Sequence, residues 1–220
     1  MKNIIIFFAS IIAALFVACG SASPSSSSEE AFSSEGSSKS SSSTDKKSSN
    51  SSNAKAAGKT LILYFSWSNN TKTMAGYIHD EIGGDMEQII PEVAYPEKYE
   101  DVADYAKAER DEDKRPKFKA LEHNPMNYDT IFVGYPIWWY TLPMIIYTFF
   151  DTYDFAGKTV IPFNTHEGSG QSGTQRVIEN ALSTSTVLQG LAIQGKTAQE
   201  DESRTRELLT DWLKSLNLLK

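Results

Sequence analysis

Cysteine is almost absent from this 220-residue chain: Cys19 is the only one, and it precedes every segment patterned for a packed core. A folded part without thiols holds no internal disulfide, no cysteine zinc cluster and no cysteine nucleophile. Histidine is scarce as well, with His79, His123 and His166 the whole supply, too few and too scattered for a histidine-rich metal site. No metal is therefore expected. Positive charge is in deficit, since 21 Lys and Arg stand against 28 Asp and Glu for a formal charge of −7. The four basic and four acidic residues before Ala54 cancel, so the same −7 falls on the remainder, which argues against a nucleic-acid partner. The opening apolar run, Ile4 to Val17, is fourteen residues long, short of the ~20 that span a bilayer.

That run follows Lys2, the charge order of an export signal. Phe16, Val17, Ala18 and Cys19 resemble the bacterial lipobox, in which small residues precede a cysteine that receives lipid, although Phe16 stands where Leu is usual. An ordinary signal peptide is the simpler alternative. On the lipobox reading Cys19 becomes the first mature residue and carries enough acyl chain for stable anchoring on the outer face of a bacterial membrane. Between Ser21 and Asn53, 18 of 33 residues are serine, a composition that cannot bury a core. About forty such residues make a flexible tether with a reach of roughly 35 Å. The expected organisation is a signal over 1–18, a linker over 19–58 and one folded domain over 59–220.

The folded part opens on Thr60, Leu61, Ile62, Leu63, Tyr64 and Phe65, an unbroken apolar run that predicts a parallel strand buried on both faces. Met74, Ile78 and Ile82 then recur every four residues up to Gly83 and Gly84, which predicts a helix and its stop. Further strands are predicted at Met86–Ile90, at Ile131–Val133 closed by Gly134, at Thr159–Phe163, and at Val187–Ile193 with an interruption at Gly190. Helices are expected over Lys98–Asp113, Leu142–Tyr153, Gln175–Leu182 and Glu200–Leu219, the last with Leu208, Leu209, Trp212, Leu213 and Leu216 on one face. Pro162 cannot donate to a ladder, so the fourth strand is expected to be distorted or close to the rim. Alternation of this kind implies an open parallel sheet with helices on both sides, and ligands beyond the carboxyl ends of its strands.

Three connections at those ends carry the candidate chemistry. The first, Ser66 to Thr71, offers hydroxyls, amides and a helix N-terminus, a set that suits a phosphate without arginine or that simply caps the helix. The second, Gly134 to Thr141, crowds Tyr135, Trp138, Trp139 and Tyr140 at a strand end, either to cap the core or to present flat apolar surface. The third, Asn164 to Thr174, has Gly168, Gly170 and Gly173, which let backbone amides approach a ligand or make a flexible surface loop.

Taken in order, the Ser-Trp-Ser-Asn-Asn-Thr, Gly-Tyr-Pro-Ile-Trp-Trp and Thr-His-Glu-Gly-Ser-Gly segments resemble the flavodoxin-like family, in particular its bacterial flavodoxin-domain lipoproteins. The resemblance covers about Lys59 to Lys220. It implies a flavodoxin-like three-layer α/β sandwich, a five-stranded parallel sheet in the order 2-1-3-4-5, and FMN as cofactor. Ser66, Ser68, Asn70 and Thr71 would take the phosphate with the Asn69 amide close by. Pro136, Ile137, Trp138 and Trp139 would line the isoalloxazine ring, and Thr165, His166, Gly168, Ser169 and Gly170 would close its other edge. Asn69 stands where the family usually has Gly, a substitution that the left-handed tolerance of Asn accommodates.

The implied role is electron transfer or FMN-dependent oxidoreduction outside the cytoplasm. The partner is either a redox protein or a small quinone-like acceptor, and no residue is assigned a catalytic role. No second glycine-rich dinucleotide motif is visible, so a nicotinamide donor would stack transiently. The competing class is a non-catalytic cell-surface binding module that keeps the fold. A triad hydrolase is disfavoured because Ser66 and Ser68 lack a glycine-flanked elbow.

Overall fold

The computed structural model describes residues 58–219. The expected signal segment, Cys19 and the serine-rich linker up to residue 57 lie outside them. The described chain runs β1 (Thr60–Tyr64), α1 (Asn70–Ile82), β2 (Asp85–Gln88), α2 (Tyr99–Asp111), β3 (Thr130–Pro136), α3 (Met144–Thr152), β4 (Thr159–His166), α4 (Thr174–Ala181), β5 (Thr186–Val187), β6 (Leu191–Gln194), α5 (Gly195–Glu200) and α6 (Glu202–Ser215). The sheet has the order β2-β1-β3-β4-β5, with β6 also on β4, and every pairing between strands is parallel.

Strand alternation divides the apolar residues between two layers. Leu61, Leu63, Ile131, Val133 and Val160 face α3 and α4 and pack on Ile145, Ile146, Phe149 and Ile178. Ile62, Tyr64, Phe132, Ile161 and Phe163 face the other way, onto Met74 and Ile78 of α1 and Leu209, Trp212 and Leu213 of α6. Both faces of β1 are thus covered, which is why its sequence lacks alternation. Each fully buried side chain of this size contributes about 1.5–3 kcal/mol.

Two glycines and one proline reshape the predicted strands. Gly134 does not close β3; the strand continues through it to Pro136. Its missing side chain is a packing requirement, because a Cβ at Gly134 would meet the ring of Phe163 and lie 2.9 Å from the Tyr64 Cβ. β4 likewise runs past Phe163 to His166, since Asn164, Thr165 and His166 find ladder partners on β6, and Asn164 and Thr165 on β3 as well. Pro162 is not at the rim: β4 has β3 on one side and the β5–β6 pair on the other. Lys158 and Val160 accept N–H bonds from Thr186 and Leu188, so by alternation the Pro162 nitrogen faces that same side. There the fifth strand is broken, at Gly190, whose Cβ would lie 2.8 Å from the Pro162 carbonyl oxygen. The distortion expected of β4 therefore sits in its neighbour, as the sequence interruption at Gly190 anticipates.

The connection from β2 to β3 carries α2 and is pinned by an antiparallel bridge between Pro91 and Phe118. α2 buries Val102, Ala106 and Glu109 and leaves the rest of its surface to solvent. Glu109 is 3% exposed and accepts a hydrogen bond from the Tyr95 hydroxyl at 2.9 Å. Burial pushes its carboxyl above the usual range, against the Tyr95 bond and the Lys114 charge, which pull it down.

Candidate functional site

All three candidate connections emerge at the carboxyl end of the sheet. The first begins where β1 stops. Phe65 donates its N–H to the Gly134 carbonyl at 2.9 Å, and the chain turns at Asn69, whose φ of 68° is left-handed. Asn is among the few non-glycine residues that adopt this conformation at modest cost. Asn69 is the N-cap of α1 but makes no side-chain capping bond. Nearby, Ser66 Oγ accepts the Lys72 N–H at 3.3 Å, while Ser68 and Asn69 face solvent.

The turn is held from outside by residues that carry no motif signal. Gln88 Nε2 donates to the Ser66 carbonyl at 3.1 Å, and Gln199 Nε2 donates to the Ser68 carbonyl at 2.9 Å from 131 residues away. Trp67 donates its indole N–H to the Pro96 carbonyl at 2.8 Å. A Cβ on Gly195, at the start of α5, would run into the amide of Asn70 and the carboxylate of Glu167. That glycine lets first and third connections meet.

Their closest tie is a hydroxyl pair. Thr71 Oγ1 and Thr165 Oγ1 are 2.9 Å apart and buried, joining the first turn of α1 to the end of β4. The second connection is fastened to the same strand, for Ile137 donates its N–H to the Thr165 carbonyl at 2.8 Å. Pro136 is the last residue of β3.

Trp138 and Thr141 then close a tight turn by two reciprocal backbone bonds of 3.1 and 3.0 Å. The residues between them, Trp139 and Tyr140, both have positive φ, 50° and 63°. That turn sends the two tryptophans in different directions. Trp138 packs edge-on against Phe65 at 5.2 Å and Tyr95 at 5.1 Å. Trp139 goes to α2, where its indole N–H donates to the Ala103 carbonyl at 2.7 Å and the Arg110 guanidinium lies 5.4 Å from its ring centre. Tyr140, at the tip, is 74% exposed.

In the third connection His166 Nδ1 accepts the Gly168 N–H at 2.9 Å. An accepting Nδ1 carries no proton, so the neutral ring has its hydrogen on Nε2. Burial lowers the histidine pKa, although Glu167 opposes this; both effects of burial and bond favour neutral imidazole. Beyond it the turn uses left-handed backbone at Gly170, Ser172 and Gly173, with Gly168 at φ 114°. Ser169 accepts at its carbonyl from Ser172 Oγ at 3.1 Å. Thr174 donates its hydroxyl to the Gln171 carbonyl at 2.6 Å, so the 2.9 Å contact between that hydroxyl and Tyr135 is a bond that Tyr135 donates.

One side chain here is unsatisfied. Asn164 is 1% exposed, and neither its Oδ1 nor its Nδ2 has a hydrogen-bond partner. An unpaired buried amide of this kind costs about 1–3 kcal/mol.

The structure thus gathers Ser66, Asn70, Thr71, Pro136, Ile137, Thr165 and His166 around one junction and takes the Trp139 ring away to α2. A depression of about 290 Å³ lies on the β2 side of the first connection, lined by Phe65, Ser66, Trp67, Pro91, Tyr95 and Lys119 among others. The donor set at the junction is neutral and sits at a helix N-terminus, chemistry that fits a phosphate monoester.

Comparison with known proteins agrees with this fold. No curated protein matches the chain. Among solved structures, a protein from Bacteroides eggerthii DSM 20697 assigned as a flavoprotein is 28% identical, covering 73% of this chain and 98% of its own, with a TM-score of 0.63. A second, from Bacteroides uniformis ATCC 8492, is 31% identical over 72% of this chain and 99% of its own, with a TM-score of 0.62. A flavoprotein from Lactobacillus acidophilus NCFM in complex with FMN is 26% identical over 64% and 95%, with a TM-score of 0.53. The sequence profile described as flavodoxin matches residues 59–216, well over half of the chain, and with a parallel sheet in the order that the resemblance implied, the chain belongs to the flavodoxin family.

Proposed function

We propose that this chain is an FMN-binding redox flavoprotein that exchanges electrons with a partner outside the cytoplasm. The observation that carries the reading is the Thr71–Thr165 junction at 2.9 Å, beneath a helix N-terminus whose left-handed N-cap makes no side-chain capping bond. Ser66, Ser68, Asn70 and the first amides of α1 are the neutral donors that would hold the phosphate, helped by the helix dipole, so a domain of net charge −7 needs no arginine there. Pro136, Ile137 and Trp138 on one side, and Thr165 to Gly170 on the other, would position the ring. His166 offers a neutral imidazole with its proton on Nε2. FMN, when bound, supplies one- and two-electron chemistry, while the protein supplies binding, orientation and tuning. Membership of the flavodoxin family and the FMN complex of the Lactobacillus relative support this choice of cofactor.

The test is a titration of the full chain with FMN, followed by quenching of flavin fluorescence. Wild type is expected to quench at micromolar FMN. Ser68→Ala, which removes one hydrogen bond to a charged group, is expected to raise Kd about tenfold. Absence of quenching by wild type overturns the reading. Electron transfer to a protein is the version that the surface supports. α2 opens with Glu100 and Asp101 and would steer a basic partner toward the exposed Tyr140 turn. A rate above that of free FMN with NADH or NADPH and a soluble quinone would make the protein a reductase instead.

Anchoring through a lipid on Cys19 belongs to the same proposal and rests on the order Lys2, apolar run, Ala18-Cys19. Cys19→Ser is expected to move the protein from the membrane fraction to the soluble one. Unchanged membrane association overturns that part.

A further inference from the structure

Among the described residues, Asn164 alone has buried side-chain polar atoms without a hydrogen-bond partner, and it has two of them. Its surroundings make this specific. Asn164 lies near the carboxyl end of β4, in register with Tyr135 of β3 and Ala192 of β6. Strand alternation puts its side chain on the face of Val160, opposite to Thr165. The polar groups placed with it on that face are already paired with one another: Tyr135 with Thr174, Thr174 with Gln171, and Gln171 Nε2 with the Gly190 carbonyl. None of them requires Asn164. An apolar residue of similar size would fill the same space without stranding a donor and an acceptor.

The segment that follows leaves room beside its glycines. At Gly168, Gly170 and Gly173 no atom lies within 4 Å of the position a Cβ would take. Asn164 immediately precedes Thr165, whose carbonyl holds the Ile137 N–H at 2.8 Å, so its amide lies one residue from the point where the second and third connections join. An amide offers one acceptor and two donor hydrogens. The imide edge of an isoalloxazine ring offers the complement, carbonyl acceptors flanking an N–H donor.

We infer that Asn164 reads the imide edge of the flavin ring and is the residue of this site that selects for the ring, as distinct from the phosphate. This rests on the FMN reading above. It separates two parts of recognition: the first connection answers to the phosphate, and Asn164 answers to the heterocycle.

The experiment uses the full chain, with FMN and riboflavin titrated in parallel and thermal melting recorded without flavin. For Asn164→Val the ligand-free melting temperature is expected to rise by about 3 °C, because a stranded amide is removed. Kd for FMN and for riboflavin should both rise at least tenfold, by the same factor, since the two ligands share the ring. Ser68→Ala should weaken FMN alone. Asn164→Ser, which retains one polar atom, gives the same pattern at smaller size and stands in if the valine variant does not fold.

A higher melting temperature with both Kd values unchanged would overturn the inference, showing that the amide serves an internal water. Loss of affinity for FMN alone overturns it too. If wild type binds neither flavin, the FMN reading falls and this inference with it; if wild type binds and the variants bind equally well, only this inference falls.

Discussion

Gly134→Val is expected to yield little or no folded protein, with a stability loss of about 3 kcal/mol or more, the upper range for forcing bulk into a packed core. Gly134 is an interior position of β3, flanked by Tyr64 on β1 and Phe163 on β4. Both neighbours are buried in the layer that α1 and α6 cover, and a Cβ would overlap the Phe163 ring and press on the Tyr64 Cβ at 2.9 Å. Neither can retreat: Phe163 shares its cluster with Ile161 and Leu213, and Tyr64 with Met74 and Ile78. The Gly134 carbonyl also holds the Phe65 N–H, so a displaced β3 would disturb the first connection as well. Urea denaturation followed by circular dichroism measures the loss. A midpoint equal to that of wild type would refute this account of the glycine, and Gly134→Ala should show the same sign with smaller size.

The second large effect is expected at the hydroxyl pair. Thr165→Val removes one partner of a buried bond and leaves Thr71 Oγ1 without its mate, which should cost about 1–3 kcal/mol. Thr71→Val should do the same from the other side. The double variant removes both groups together, so its cost is expected to fall short of the sum by about 0.5–3 kcal/mol, the range of coupling for groups in contact. FMN affinity should fall in all three, because the junction sets where the first turn of α1 stands relative to β4. Strict additivity in denaturant melts would show that the two hydroxyls act independently.

Much of this architecture is legible in the residues because burial dictates composition. The unbroken apolar run at 60–65, the spacing of Met74, Ile78 and Ile82, and the stripe through Leu209, Trp212 and Leu213 each name an element and its covered face. Strand ends are less legible. Asn164, Thr165 and His166 read as loop because polar residues seldom complete a buried strand, yet ladder partners on both sides of Asn164 and Thr165 satisfy the backbone and keep them extended. Gly134 reads as punctuation because its role is the volume it leaves free, a quantity that depends on Phe163, 29 positions later. The site is legible in its polar turn and its glycines, but not in what fixes them. Gln88, Gln199 and the α2 carbonyl that takes the Trp139 indole are joined to the connections only by the fold. No local pattern marks them.

The break at Gly190 has a consequence beyond the strand it divides. An edge strand offers a row of free donors and acceptors to any other extended chain, and long flat edges invite such pairing. Here that edge is cut into pieces of two and four residues by the close approach of Pro162. Neither piece is long enough to template another strand, and the opposite edge, β2, is itself four residues with Asp85 and Glu87 along it. The sheet therefore resists edge-to-edge aggregation at both margins, a protection that concentrates on the rim the same proline that looks out of place in the centre.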